Sequence, residues 1–60
     1  MDLTPKEYIV EQITGDYALL RRTDAVTDKL NQVALALLPD DIEIGTRLRW
    51  EMFSYRRSEG

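Results

Sequence analysis

Between Thr46 and Phe53 the chain alternates. Leu48, Trp50 and Met52 fall on one phase, and Arg47, Arg49 and Glu51 on the other. A period of two is the mark of an extended strand with one face on a core. The pattern therefore predicts a strand over residues 46–53 with Trp50 on its buried side. Upstream, Tyr8, Ile9, Val10 and Ile13 are residue types that suit a pleated surface. Residues 7–13 are joined to residues 17–22 by Thr14-Gly15-Asp16. Two such runs separated by about three residues including a glycine read as a β-hairpin with a bulged turn. In that turn Gly15 supplies a positive φ and Asp16 accepts backbone N–H groups. Together these segments predict one core holding Leu48, Trp50, Met52, Ala18 and Leu20.

Two local patterns compete with this reading. Thr4-Pro5-Lys6-Glu7 is a capping box with proline at the first helical position, and Leu3 and Tyr8 stand at staple spacing. Taken locally, a helix can start at Pro5. Val26, Leu30, Val33, Ala34, Leu37 and Leu38 also follow helical spacing, with Pro39 placed to stop a helix. On periodicity alone, residues 25–38 fit a helix as well as they fit a loop followed by a strand.

Composition narrows the class. Sixty residues, 43% hydrophobic and 32% charged, describe a folded chain with a single core. A domain of this size buries only about 60% of the surface its unfolded chain exposes, so it often needs a staple or a partner. Cysteine and histidine are both absent, which removes disulfides and any Cys/His zinc site. The longest apolar run, residues 33–38, is far short of the about 20 residues needed to span a bilayer. Residues 1–7 are acidic and polar, unlike a signal peptide, so the expected location is cytoplasmic, without membrane contact.

Charge is divided along the chain. Residues 1–43 hold nine acidic and four basic groups, and residues 44–60 hold four arginines against two glutamates. The whole is −3. An acidic chain is repelled on average by nucleic acid and anionic lipid, so contact with either must rest on the arginine-rich end.

Catalytic chemistry has little to work with. Without histidine and cysteine, the acid–base groups left are carboxylates, lysines and tyrosines. Asp40, Asp41 and Glu43 cluster after Pro39, but their spacing is not that of an EF-hand, and a solvated turn is expected. Gly15-Asp16 alone is too little for a phosphate-binding loop. A chain this short leaves little room for a pocket of the roughly 300 Å³ that small ligands occupy. The expectation is a non-enzyme with no catalytic residues, no cofactor and no metal. The candidate partner-binding face is Arg47, Arg49, Phe53, Tyr55 and Arg56. Arginines interleaved with aromatics are the ingredients of single-strand nucleic-acid binding, which is the alternative function. The phase opposes it, because Trp50 falls on the core side, leaving Phe53, and Tyr55 if no bulge intervenes, beside the arginines.

The stretch Tyr8-Ile9-Val10-Glu11-Gln12-Ile13-Thr14-Gly15-Asp16-Tyr17-Ala18-Leu19-Leu20 resembles the opening hairpin of the small bacterial domain of unknown function 3006. Val33, Leu37-Leu38-Pro39, Gly45 and Leu48 are similar to a later stretch of that family. The match spans most of residues 8–50. Two departures stand out. The connection over residues 22–32 is longer and lacks an Asp-Gly turn, and Met52-Phe53-Ser54 stands where the last hairpin usually has a glycine. The resemblance implies a mostly β fold: a small single-domain antiparallel β-barrel of SH3- or OB-like size. The longer connection leaves room for one short helix within 25–38, but the resemblance argues against a continuous one. It also implies an accessory role, since some members look as though they accompany or are fused to metallo-β-lactamase-like hydrolases. The expected function is an uncharacterised interaction module of bacterial type, binding a protein partner or a second copy of itself.

Overall fold

Strand β1 (Lys6–Thr14) runs directly through the residues that offered a helix cap. In this computed structural model, which describes residues 4–58, no α-helix forms there. The reason is tertiary. Residues 6–9 pair with Trp50 through Arg47 on one side, while Tyr8 and Ile9 pair with Arg22 and Arg21 on the other. A cap satisfies a few N–H groups, but an isolated helix must still meet its nucleation cost. Strand pairing satisfies β1 on both sides and buries Tyr8 and Val10 as well.

Strand β2 (Tyr17–Arg22) follows a two-residue turn in which Gly15 has φ +58°. A positive φ at the first central position is the pattern of a type II′ hairpin. The irregularity expected in the turn lies instead within β1. Val10 pairs with Leu20 and Gln12 with Leu19, which leaves Glu11 as a β-bulge. One extra residue there resets the phase. It explains why Val10 and Ile13, three residues apart, both point at the core. Asp16 accepts an N–H through its backbone carbonyl, from Leu35 at 2.8 Å.

Residues 25–38 resolve as a loop and then a strand. β3 (Leu30–Ala34) pairs with β2, and a single 3-10 turn (Leu35–Leu37) follows. Of the six positions that made the helical stripe, only Val33 and Leu38 are buried. Val26 is fully exposed and Leu37 is 66% exposed. β2 needs a partner on its free side, and Val33 opposite Ala18 extends the core in a way one helix face at this position does not.

Strands β4 (Arg47–Glu51) and β5 (Ser54–Arg57) complete a five-stranded antiparallel sheet in the order β3-β2-β1-β4-β5. β3 and β5 are its two edges. The core is Tyr8, Val10, Ala18, Leu20, Val33, Leu38 and Leu48, with Ile13, Leu35, Ile42, Trp50 and Tyr55 packed around it. The expected strand over 46–53 stops at Glu51. Leu48, Ala18 and Leu20 share the core as anticipated, and Trp50 sits half-buried at its rim. Met52 does not join them: it is 75% exposed, in the β4–β5 turn. Among the described residues no helix is long and apolar enough to cross a membrane.

Candidate functional site

The β4–β5 hairpin carries every residue of the expected binding face, and the strand phase divides them. Arg49 lies directly opposite Arg56, and Arg47 follows two residues before Arg49, so all three arginines share the outer face. Tyr55 lies opposite Trp50, on the inner face, with its ring 5.9 Å from that of Tyr8. Burial, and then the neighbouring Tyr8, push the Tyr55 phenol above its ordinary range. Phe53 also leaves the arginines. Its ring meets Trp50 edge-on, with centroids 6.0 Å apart and planes at 87°. The expected grouping of Phe53 and Tyr55 with the arginines is therefore corrected. The turn after Glu51 breaks the alternation on which it depended.

Two surfaces result. On the outer face, Arg49 Nε stands 2.8 Å from Glu7 Oε2, its cross-strand neighbour. Glu7 is a junction for three segments. Its N–H donates to Asp24, its carbonyl accepts from the Thr23 N–H, and its carboxylate accepts from the Ser58 hydroxyl. Arg22 Nε donates to Asp24 at 2.6 Å, and this bond holds the Asp24 carboxyl below the usual carboxylate range. Arg21 pairs with Glu11, and Arg57 with Asp41 at 2.5 Å. Most arginines are thus matched by carboxylates. Among the described residues, Arg47 and Arg56 make no ion pair.

The second surface is the hairpin end. Glu51 and Ser54 close a two-residue turn whose central residues, Met52 (φ 53°) and Phe53 (φ 62°), both have left-handed backbones. Positive φ at both positions is the requirement of a type I′ turn, which Asn-Gly fills most easily. Unbranched and aromatic side chains occupy such positions at a cost of about 1–2 kcal/mol each. The Ser54 hydroxyl donates to the Glu51 carbonyl and helps to hold the turn. Phe53 is 67% exposed, so both side chains project from the molecule. Lys6 flanks the Trp50 ring that Phe53 also meets, its ammonium 4.6 Å from the Trp50 centroid. Lys6 and Met52 belong to this cluster and were absent from the expected face. The readable signal was large residues standing where a hairpin wants glycine.

Elsewhere the chemistry is sparse. Asp40, Asp41 and Glu43 are exposed around a turn, and among the described residues no acidic group is assembled to hold a metal ion. An open groove of about 420 Å³ lies between Ile13, Leu35, Ala36, Pro39, Asp40 and Ile42. It exceeds the roughly 300 Å³ for which a chain this short predicts little room, and lies where Leu35 of the 3-10 turn and Pro39, Asp40 and Ile42 of the following loop face Ile13 of β1. Asp40 is its one ionisable lining residue. No family model, no curated protein and no solved structure matches the chain.

Proposed function

We propose that the protein is a small non-catalytic interaction module of bacterial type, which docks onto a protein partner through its β4–β5 hairpin end. One observation carries the reading: two large apolar side chains, Met52 and Phe53, are held exposed on a left-handed turn. Strained backbone that contributes nothing to the core is commonly found where a surface is used. Methionine and phenylalanine are adaptable and large anchors of the kind that fill a partner's pocket. Lys6 beside Trp50, and Arg49 with Arg56 on the back of the same hairpin, give the anchor a basic surround. The matching partner surface is an apolar pocket with a carboxylate rim. The accessory role implied by the resemblance to domain 3006 belongs to this proposal. So does a barrel-like body, supported by the bulge at Glu11, which bends β1 over the core, and by nearly equal extents of 30 × 24 × 23 Å.

The test compares the wild type with a Met52→Asn, Phe53→Gly double variant, which keeps the turn and removes the anchors. Each is immobilised and exposed to an extract of the source cells. A protein retained by the wild type and lost by the variant supports the reading; equal retention by both sinks it. A parallel titration with fluorescent single-stranded DNA and RNA at about 50 and 150 mM salt covers the nucleic-acid alternative. Micromolar binding at the higher salt, lost in Arg47→Ala and Arg56→Ala, would replace our reading.

A further inference from the structure

The two edges of the sheet are not alike. β5 is four residues long and carries Arg56 and Arg57, charges of the kind that discourage another strand from pairing. β3 (Leu30-Asn31-Gln32-Val33-Ala34) has no charge, no proline and no bulge. Its unused backbone groups follow from the register. The Leu35 N–H donates to the Asp16 carbonyl, and β3 continues that pairing with Val33 opposite Ala18 and Asn31 opposite Leu20. In an antiparallel ladder the bonded pairs alternate. Asn31, Val33 and Leu35 therefore turn their backbone groups toward β2, and Leu30, Gln32 and Ala34 turn theirs outward.

We propose that this edge pairs with β3 of a second copy of the chain, antiparallel, about a two-fold axis at Gln32. This surface is separate from the hairpin end. In that register Gln32 faces Gln32 of the second copy, and Leu30 faces Ala34 in both directions. Every outward N–H and C=O of β3 then has a partner, without any change in the strand. The side chains are self-complementary as well. Tyr17 lies opposite Ala34 on the outer face. Tyr17 and Leu30 are 47% and 45% exposed in the single chain. Pairing sets Leu30 of the second copy against Ala34, whose small side chain leaves room for it beside Tyr17. Charge agrees with this register. Lys29 of one copy falls opposite Leu35 of the other, one strand away from Asp16, two strand spacings or about 10 Å between backbones. A lysine side chain can span that distance. Asp16 and Lys29 have no ion-pair partner among the described residues of the single chain. An isologous contact of this kind closes on itself and does not propagate.

Sedimentation equilibrium across a wide concentration range reads the outcome. The expected result is reversible association to twice the 7.0 kDa of one chain. Gln32→Lys places like charges face to face on the axis and shifts the dissociation constant at least tenfold toward monomer. Gln32 is exposed, so the variant should fold, and an unchanged far-ultraviolet circular dichroism spectrum verifies it. An equimolar mixture of Gln32→Lys and Gln32→Glu should recover the dimer, because the two-fold puts opposite charges in register. Amide exchange of Leu30, Gln32 and Ala34 should slow as concentration rises. A chain monomeric at millimolar concentration overturns the proposal. A dimer indifferent to Gln32→Lys but lost with the Met52→Asn, Phe53→Gly variant also overturns it, and assigns association to the hairpin end.

Discussion

Met52 and Phe53 occupy backbone conformations that Asn-Gly adopts with little strain, and this sets stability against use at two positions. Replacing both, Met52→Asn and Phe53→Gly, should relieve strain of about 1–2 kcal/mol at each site. Loss of the Phe53–Trp50 ring contact offsets about 0.5–1.5 kcal/mol of that gain. The net gain of about 2 kcal/mol corresponds to a rise in melting temperature of roughly 10 °C for a domain of this size, read by thermal unfolding. A melting temperature at or below that of the wild type shows that the turn carries no strain. Asp24 governs another single-residue effect. Its folded-state pKa is depressed, chiefly by the Arg22 hydrogen bond. Its contribution is therefore present above the ordinary carboxylate range and is lost as pH falls through the folded value. Below about pH 4, Asp24→Asn should lose less stability than the wild type in urea titrations. Tyr55 acts at the other end. Its raised pKa means a contribution present below the ordinary phenol range and lost as pH rises through the folded value. Tyr55→Phe should flatten the decline above about pH 10.

At the scale of the strand, burial orders the apolar positions differently from hydrophobicity. Leu48 and Leu20 are fully buried in β4 and β2, while Trp50, the largest side chain, sits at the rim of the core against Lys6 and Phe53. Leu48→Ala should cost about 2–5 kcal/mol and leave little folded protein, measured as loss of the urea transition. Trp50→Ala should cost less than Leu48→Ala, because part of the indole surface is already wet; the reverse order contradicts the packing described here. The β4–β5 pair also holds Arg49 against Arg56, like charges in direct register. Glu7, on the other side of Arg49, offsets part of their repulsion. Arg56→Glu should turn the repulsive pair attractive and stabilise by about 0.5 kcal/mol, an effect that shrinks as salt is raised.

For the whole molecule, the sign of the charge and its distribution act together. The chain is acidic overall, yet its last segment is basic, and the fold brings the carboxylates of Glu7 in β1 and of Asp41 to two of those arginines, Arg49 and Arg57. Exposed pairs of this kind add little stability each. They do lower the field that the arginine face presents to a polyanion. Among the described residues Arg47 and Arg56 lack an ion pair, and two such arginines offer about two phosphate contacts, binding that declines quickly with salt. The 60-residue chain titrated with single-stranded DNA at about 150 mM salt should show no saturable binding below high micromolar concentration.

The chain's local patterns determined the hairpin at Gly15-Asp16, the alternation through β4, the buried places of Leu48, Ala18 and Leu20, and the want of histidine or cysteine chemistry. Each is a property of spacing or of residue type, carried within a few neighbouring positions. Three features were decided only in three dimensions. The capping box at Thr4 and the stripe from Val26 to Leu38 are real local preferences, but β1 and β3 gain hydrogen bonds and buried contacts from distant strands, which outweigh them. The bulge at Glu11 reset the phase of β1 by one residue. The turn at Met52-Phe53 ended β4 two residues early, and moved Phe53 and Tyr55 away from the arginines. A period-two pattern states which residues share a face only while the strand continues; where it ends is settled by what it pairs with.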